Sequence, residues 1–293
     1  MPAKTITRQA PAKLNLFLHI NGRRADGYHL LQSVFVRIDW VDTLHFELTT
    51  DGRIIRTDSL NMTGKPLPDA DLSVRAAMAL QAKMGVASGA HITLEKHIPS
   101  EAGMGGGSSD AATTLLALNE LWQTGLSLEE LASISATLGA DVPFFLYEQH
   151  AWVEGIGERI TPIKLPKSLQ NARFLVLKPP SGVSTPAVFS SADLERSTKT
   201  VTIEGFAAWT EKNAAQQHLE SSELLFGRND LQPVALKICP EIAQALSWLK
   251  DQGLIGRMTG SGSAVFAQVP DFYDLNAAPS LPAGWLFKLC SLI

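Results

Sequence analysis

The stretch Ile98-Pro99-Ser100-Glu101-Ala102-Gly103-Met104-Gly105-Gly106-Gly107-Ser108-Ser109-Asp110-Ala111-Ala112 decides the fold, because it joins a glycine-dense loop to an apolar helical pattern. Four of the five positions from Gly103 to Gly107 are glycine. Glycine backbone reaches positive φ without strain and brings its N–H groups close to a ligand with no Cβ in the way. Leu115, Leu116, Leu118, Leu121 and Trp122 continue as a helix whose first turn has free N–H groups and about half a positive charge. Ser108, Ser109 or Asp110 is expected to cap it. Phosphate oxygens suit such a place. Residues 91–95 read as a strand leading into the loop, which gives the strand–loop–helix context a phosphate cradle needs. The loop nevertheless lacks the lysine of G-x-x-x-x-G-K-S/T, and Ser108 stands where the dinucleotide fingerprint has its third glycine.

A chain of 293 residues buries a sizeable core and favours two domains over one. Its 45% hydrophobic and 18% charged residues are ordinary for a globular protein, and the formal net charge of −4 supplies no basic field for nucleic acid. No nucleic-acid partner is expected. Cys239 and Cys290 have no CxxC spacing and are too few for a disulfide framework or a zinc site; they read as small buried apolar residues of a reducing compartment. No run reaches the roughly 18 apolar residues of a membrane span, and Asn15 and His19 interrupt the apolar run 14–20, so no signal-peptide core is present. The expectation is a cytoplasmic protein without a membrane partner.

Upstream of the loop, residues 12–20 alternate with period two. Leu14, Leu16, Leu18 and Ile20 share one strand face, while Lys13, Asn15, Phe17 and His19 share the other, which reads as the solvated one. Lys13 and Asn15 therefore point the same way. A polar turn over 21–29 ends in Tyr28 and His29, either a binding platform or local packing, at the edge of a strand near 33–40. Strands at 43–48 and 53–57 flank Asp51-Gly52 and predict a hairpin, and 69–84 has helical spacing closed by Gly85. Downstream, Ser127-x-x-Glu130 is a capping box for a helix through Leu131, Ile134 and Leu138.

A second site candidate follows in Gly139-Ala140-Asp141-Val142-Pro143-Phe144-Phe145-Leu146, one acid in an apolar run. A buried carboxylate must find a partner, so Asp141 is either the cap of the next turn or a partly desolvated acid in a cleft. The stretch 163–171 reads as a surface connection and places the domain boundary there, giving domains 1–160 and 161–293. The second half holds strands at 173–177, 264–269 and 285–292. Its helical spacing from Asn229 breaks at Cys239-Pro240 and resumes to Gly253, and the turn Thr259-Gly260-Ser261-Gly262-Ser263 precedes the middle strand. The polar stretch 190–223 is the least legible. Interleaved strands and helices in both halves argue an α+β fold.

Three separated motifs, Pro11-Ala12-Lys13-Leu14-Asn15-Leu16, the glycine loop and Thr259-Gly260-Ser261-Gly262-Ser263, together resemble the GHMP kinases. Arg24-Ala25-Asp26-Gly27-Tyr28-His29 and Leu138-Gly139-Ala140-Asp141-Val142-Pro143 extend the likeness over nearly the whole chain. They set it apart from the mevalonate, homoserine and galactose kinases of the family. The resemblance implies an N-terminal domain like ribosomal protein S5 domain 2 and a ferredoxin-like C-terminal domain, with the active site in a groove between them. It implies ATP-dependent transfer of a phosphoryl group, with Mg2+, to the 2-hydroxyl of the methylerythritol unit of a CDP-linked substrate in isoprenoid precursor synthesis.

By the same resemblance Lys13 and Asp141 are the catalytic pair, and Asn15, Tyr28, His29, Thr185 and Phe189 bind the CDP-methylerythritol. Pro99, Gly103, Met104, Gly105, Gly106, Gly107, Ser108 and Ser109 hold the ATP phosphates, and the chain is a monomer or weak homodimer. Asp110 departs from the wider family, which has Ala-Ala directly after the two serines. A carboxylate so close to triphosphate should repel it unless it caps the helix or faces magnesium.

Overall fold

The computed structural model describes residues 4–62, 66–214, 225–270, 273–274 and 280–293. Of the polar stretch 190–223, residues 215–223 lie outside the described ones. The chain forms two compact units that interleave along the sequence: residues 1–12, 40–100 and 105–149 in the first, 13–39, 101–104 and 150–293 in the second. Two long strands, β1 (Thr5–Arg23) and β2 (His29–Thr49), pair with each other and pass through both.

In the first unit β4 (Gly89–Lys96) lies between β2 and β3 (Ile54–Asn61), antiparallel to β2 from Thr43↔Glu95 to Thr49↔Gly89 and parallel to β3. The hairpin expected around Asp51-Gly52 is therefore absent. The turn itself forms, with Gly52 at φ 72 and Asp51 Oδ1 accepting from Arg53 N at 3.1 Å. What the turn does not fix is the pairing. β4 alternates buried Ala90, Ile92 and Leu94 with half-buried residues, and its insertion gives those side chains neighbours on both edges.

Four helices complete this unit: α1 (Leu72–Met84), α2 (Gly106–Leu121), α3 (Leu128–Ser135) and α4 (Val142–Leu146), with α2 packed on α1, α3 and α4. Local chemistry sets their ends. Asp71 caps α1 by accepting from Val74 N, Gly85 closes it at φ 61, and Ser127 with Glu130 forms the expected capping box on α3.

The second unit contains the antiparallel run β2–β5–β6, with β5 (Ala151–Gly155) and β6 (Arg159–Pro162), and a separate four-stranded antiparallel sheet. That sheet takes β7 (Arg173–Lys178), β8 (Arg257–Met258), β9 (Val265–Val269) and β10 (Leu286–Ser291) in the order β10-β7-β9-β8. The order is fourth, first, third, second, with α5 (Thr185–Ser190), α6 (Ile203–Ala214), α7 (Gln232–Ile238) and α8 (Glu241–Asp251) on the connection from first to second. α7 and α8 break at Cys239-Pro240 as the sequence predicts. Ile242, Ala245 and Leu249 of α8 join Leu175, Leu177, Val265 and Ala267 in one core.

β1 departs from the alternating reading, because both of its faces are covered: Lys13, Asn15, Phe17 and His19 are buried as well as the leucines. Phe17 packs against Phe226 at 5.1 Å and Trp152 at 5.5 Å between ring centroids, and Phe206 of α6 stands at 6.2 Å. These aromatics cover the face expected to meet water.

Candidate active site

In the first unit β4 ends at Lys96, and the loop after it delivers Gly105 as the residue preceding α2, at φ 71 and ψ 17. Ser108, Ser109 and Asp110 lie inside the helix, which has no side-chain cap, so the expectation that one of them caps it is corrected. Glycine at the cap position brings no side-chain acceptor, and the first-turn N–H groups of Gly106, Gly107 and Ser108 are presented to whatever anion binds there.

Asp110 does not cap the helix. It is buried one helical turn below the loop and accepts from Lys96 Nζ through Oδ2 at 2.6 Å, while Lys96 also pairs with buried Asp42. Asp42 Oδ1 accepts from His97 N at 2.6 Å and Ile98 N at 2.7 Å, so one carboxylate ties the start of the loop to β2. Burial pushes the Asp110 carboxyl well above the usual carboxylate range against the pull of Lys96. Burial draws Lys96 down, but Asp110 and Asp42 outweigh it and hold the ammonium above its ordinary value. Asp110 Oδ1 and the Ser109 hydroxyl are buried with no hydrogen-bond partner among the described residues.

Gly106 sits directly over this cluster. A Cβ there would stand 2.9 Å from Ile98 Cγ2 and 3.1 Å from Lys96 Nζ, so its missing side chain makes room for the ammonium below the loop. Asp141 precedes α4, which packs on α2, and makes no capping bond to α4 through its side chain; it is half-buried at the edge of the wholly buried Val142–Leu146. Pro99 is buried at the foot of the same loop.

In the second unit Lys13 is 3% exposed, its Nζ donates to Asn15 Oδ1 at 2.5 Å, and it lies 4.6 Å from the centre of the Phe35 ring. Asn15 donates from Nδ2 to Ser33 Oγ at 2.9 Å and from its backbone N–H to Thr259 Oγ1 at 2.9 Å. The second glycine turn is thereby fastened to β1, and Asn229 Nδ2 holds it again through the carbonyls of Met258 at 2.7 Å and Gly260 at 2.9 Å.

Within the same unit, segment 101–104 runs between β1 and the second glycine turn. Lys13 N donates to Met104 O at 2.9 Å, and Ser263 N and Ala264 N donate to Glu101 O and Ala102 O at 3.1 and 3.2 Å. A Cβ on Gly103 would come within 2.3 Å of Thr259 O, and Gly103 has φ 71, so glycine is required there by contact and by conformation.

Thr185 at the start of α5 shares a hydrogen bond of 2.6 Å with Ser261 of the second glycine turn. His29 is buried against Phe189, ring centroids 5.2 Å apart, whereas Tyr28 is 60% exposed. The described structure thus brings Lys13, Asn15, Gly103 and Met104 together, and separately His29 with Phe189. Four participants escaped the sequence reading: Asp42, Lys96, Ser33 and Arg196. Lys96, one strand-end away from the loop, had a positional signal; Arg196, in the polar stretch, had none.

Comparison with known proteins gives these sites their context. Residues 71–149 match the model of the GHMP kinases N terminal domain, and 210–279 that of GHMP kinases C terminal. The chain is 59% identical over 288 residues to the 4-diphosphocytidyl-2-C-methyl-D-erythritol kinase of Polaromonas sp. (strain JS666), covering 96% of this chain and 89% of the relative. It is 61% identical over 285 residues to that of Polaromonas naphthalenivorans, covering 96% and 90%. Among solved structures, that of a 4-(cytidine 5'-diphospho)-2C-methyl-D-erythritol kinase aligns with TM-score 0.77 and 32% identity over 98% of this chain and 99% of that one. The mevalonate kinase of Methanococcus jannaschii shares the fold with TM-score 0.69 at 16% identity, each chain fully covered at 100%. The chain belongs to the GHMP kinases and, within them, to the 4-diphosphocytidyl-2-C-methyl-D-erythritol kinases.

Proposed function

We propose that this chain transfers the γ-phosphoryl group of ATP to the 2-hydroxyl of 4-(cytidine 5'-diphospho)-2-C-methyl-D-erythritol, giving the 2-phosphate and ADP in the non-mevalonate route to isoprenoid precursors. The observation that carries the reading is the amino end of α2, opened by glycine and capped by no side chain, at the point where the sequence predicts a phosphate cradle.

Gly103, Met104, Gly105, Gly106, Gly107, Ser108 and Ser109 bind the triphosphate through backbone N–H groups and the Ser108 hydroxyl, and Pro99, which has no N–H, shapes the foot of the loop. Lys13 neutralises charge on the transferred group, and Asp141 takes the proton of the 2-hydroxyl as that oxygen bonds to the γ-phosphorus and the bond to the β–γ bridging oxygen breaks. Asn15 holds the Lys13 ammonium and faces the methylerythritol, while Tyr28, His29, Thr185 and Phe189 take the cytidine end.

Among the described residues no cluster of three or more His, Cys, Asp or Glu is built to hold a metal, so Mg2+ fits as an ion brought largely by the phosphates. Of the three side chains considered for its shell, Ser108, Ser109 and Asp110, Ser108 is the one that is partly exposed, Ser109 and Asp110 being buried. When bound, Mg2+ supplies charge neutralisation at the phosphates. The protein acts in the cytoplasm as a monomer or weak homodimer, and its functional halves divide at 160/161. Among the described residues no helix is long and apolar enough to cross a membrane.

The test is ADP release by the purified protein with ATP and Mg2+ against four acceptors: the CDP-linked methylerythritol, free methylerythritol, mevalonate and homoserine. Release is expected with the first alone; equal release with mevalonate or homoserine overturns the assignment.

A further inference from the structure

Arg196 belongs to a segment with no legible sequence pattern, yet it is one of the most firmly placed side chains of the second unit. Its strap is pinned to β1 and β2, with Thr198 N donating to Ile20 O at 3.0 Å and Val201 N to Gln32 Oε1 at 2.9 Å. The guanidinium donates Nη1–H to Leu194 O at 2.9 Å and Nη2–H to Ser191 O at 2.6 Å and Phe189 O at 3.4 Å. Its Nε–H points at His29 Nε2 from 3.0 Å. One side chain therefore fixes both the turn that carries Phe189 and the imidazole on which Phe189 packs.

The direction of that hydrogen bond has a chemical consequence. A guanidinium is always protonated and only donates, so His29 Nε2 must present a lone pair, and the single proton of a neutral imidazole then resides on Nδ1. Burial first, then the charges of Arg196 and Arg23, hold His29 below the usual histidine range, so the ring is neutral at pH 7.

We propose that Arg196 is a positioning residue for base selection: it locks His29 as the Nδ1–H tautomer, a fixed donor that the N3 lone pair of a cytosine accepts and the N3–H of a uracil cannot. Without Arg196 the ring exchanges tautomers, presents donor or acceptor as the base requires, and loses its discrimination while keeping its stacking surface. The inference rests on His29 facing the pyrimidine, as assigned under the proposed function.

The experiment joins a spectroscopic reading to a binding ratio. 15N-histidine labelling of the full chain is expected to show His29 in the Nδ1–H form, and NMR titration with CDP and with UDP is expected to favour CDP. Arg196→Met should mix the tautomers and lower the CDP-over-UDP affinity ratio by about tenfold, the worth of one hydrogen bond to a buried partner. Arg196→Lys, which keeps a donor, should fall between. A strap that is merely loosened weakens both nucleotides alike and leaves the ratio untouched. A wild-type His29 protonated on Nε2 overturns the proposal, and so does an unchanged ratio in Arg196→Met. Because the ratio is read by binding, absence of phosphoryl transfer would strike the proposed reaction and leave this inference standing or falling on its own result.

Discussion

Lys96→Met is the most informative single perturbation of the phosphate loop. The ammonium donates to Asp42 and Asp110, and all three side chains are at most 4% exposed. Removing it leaves two carboxylates in the interior of the first unit; Asp42 keeps its two backbone donors, and Asp110 keeps none that the structure describes. Breaking a buried ion pair from one side costs about 3–5 kcal/mol. At roughly 2–4 °C per kcal/mol for large domains, the melting temperature of the variant should fall by roughly 6–20 °C.

The pH dependence has a definite sign. Asp110 is raised in the folded protein above its unfolded value of 3.8, so its contribution to stability is complete below that value and is lost as pH rises through the folded one. The Lys96→Met deficit should therefore shrink toward acid pH, and Asp110→Asn should flatten the wild-type decline at higher pH. The double variant Lys96→Met/Asp110→Leu, which leaves Asp42 its backbone amides and removes the orphaned acid, should regain at least half of the loss. Thermal melts followed by circular dichroism from pH 5 to 9 decide it. A loss under about 1 kcal/mol, or a double variant no better than Lys96→Met, would refute the view that this cluster braces the loop.

Asp141→Asn should leave ATP affinity nearly intact and lower kcat by roughly a hundredfold to ten-thousandfold, read by single-turnover kinetics; more than half of wild-type turnover removes Asp141 from the chemistry. Gly103→Ala should weaken ATP binding and lower stability together, since its Cβ would stand 2.3 Å from Thr259 O; calorimetry and melting that both match wild type would contradict the interlocked loops. Tyr28→Ala and Phe189→Ala should each weaken the cytidine substrate by about tenfold or somewhat more if the two rings stack on one base, and unchanged affinity in both variants sinks that sandwich.

Where structure follows from neighbours along the chain, the sequence was a sufficient guide. The Ser127–Glu130 capping box, the Gly85 helix end and the Cys239-Pro240 break each depend on a few adjacent residues, and each is present. Side-chain alternation likewise put Lys13 and Asn15 on one face of β1. That the face is buried depends on Phe206 and Phe226, about two hundred positions away, which no local pattern reveals. The Asp51-Gly52 turn formed without its hairpin because β4 competes for the same strand edges. Helix α6 was readable in principle, since Ile203, Phe206, Thr210 and Asn213 have helical spacing, but its polar surroundings concealed it. The Lys96–Asp110 pair beneath the glycine loop and the Arg196–His29 hydrogen bond unite side chains 14 and 167 positions apart, pairings that only the folded chain specifies.

The central claim is phosphorylation at a particular oxygen, and 31P NMR of the product tests it most directly. The second carbon of a 2-C-methylerythritol carries no hydrogen, so a phosphate on its hydroxyl has no proton three bonds away and must appear as a monoester singlet in the proton-coupled spectrum. Incubation of the protein with ATP, Mg2+ and the CDP-linked substrate should yield that singlet together with ADP. A doublet or triplet would place the phosphate on a different hydroxyl, and ADP release with no new monoester would show hydrolysis in place of transfer; either result contradicts the account.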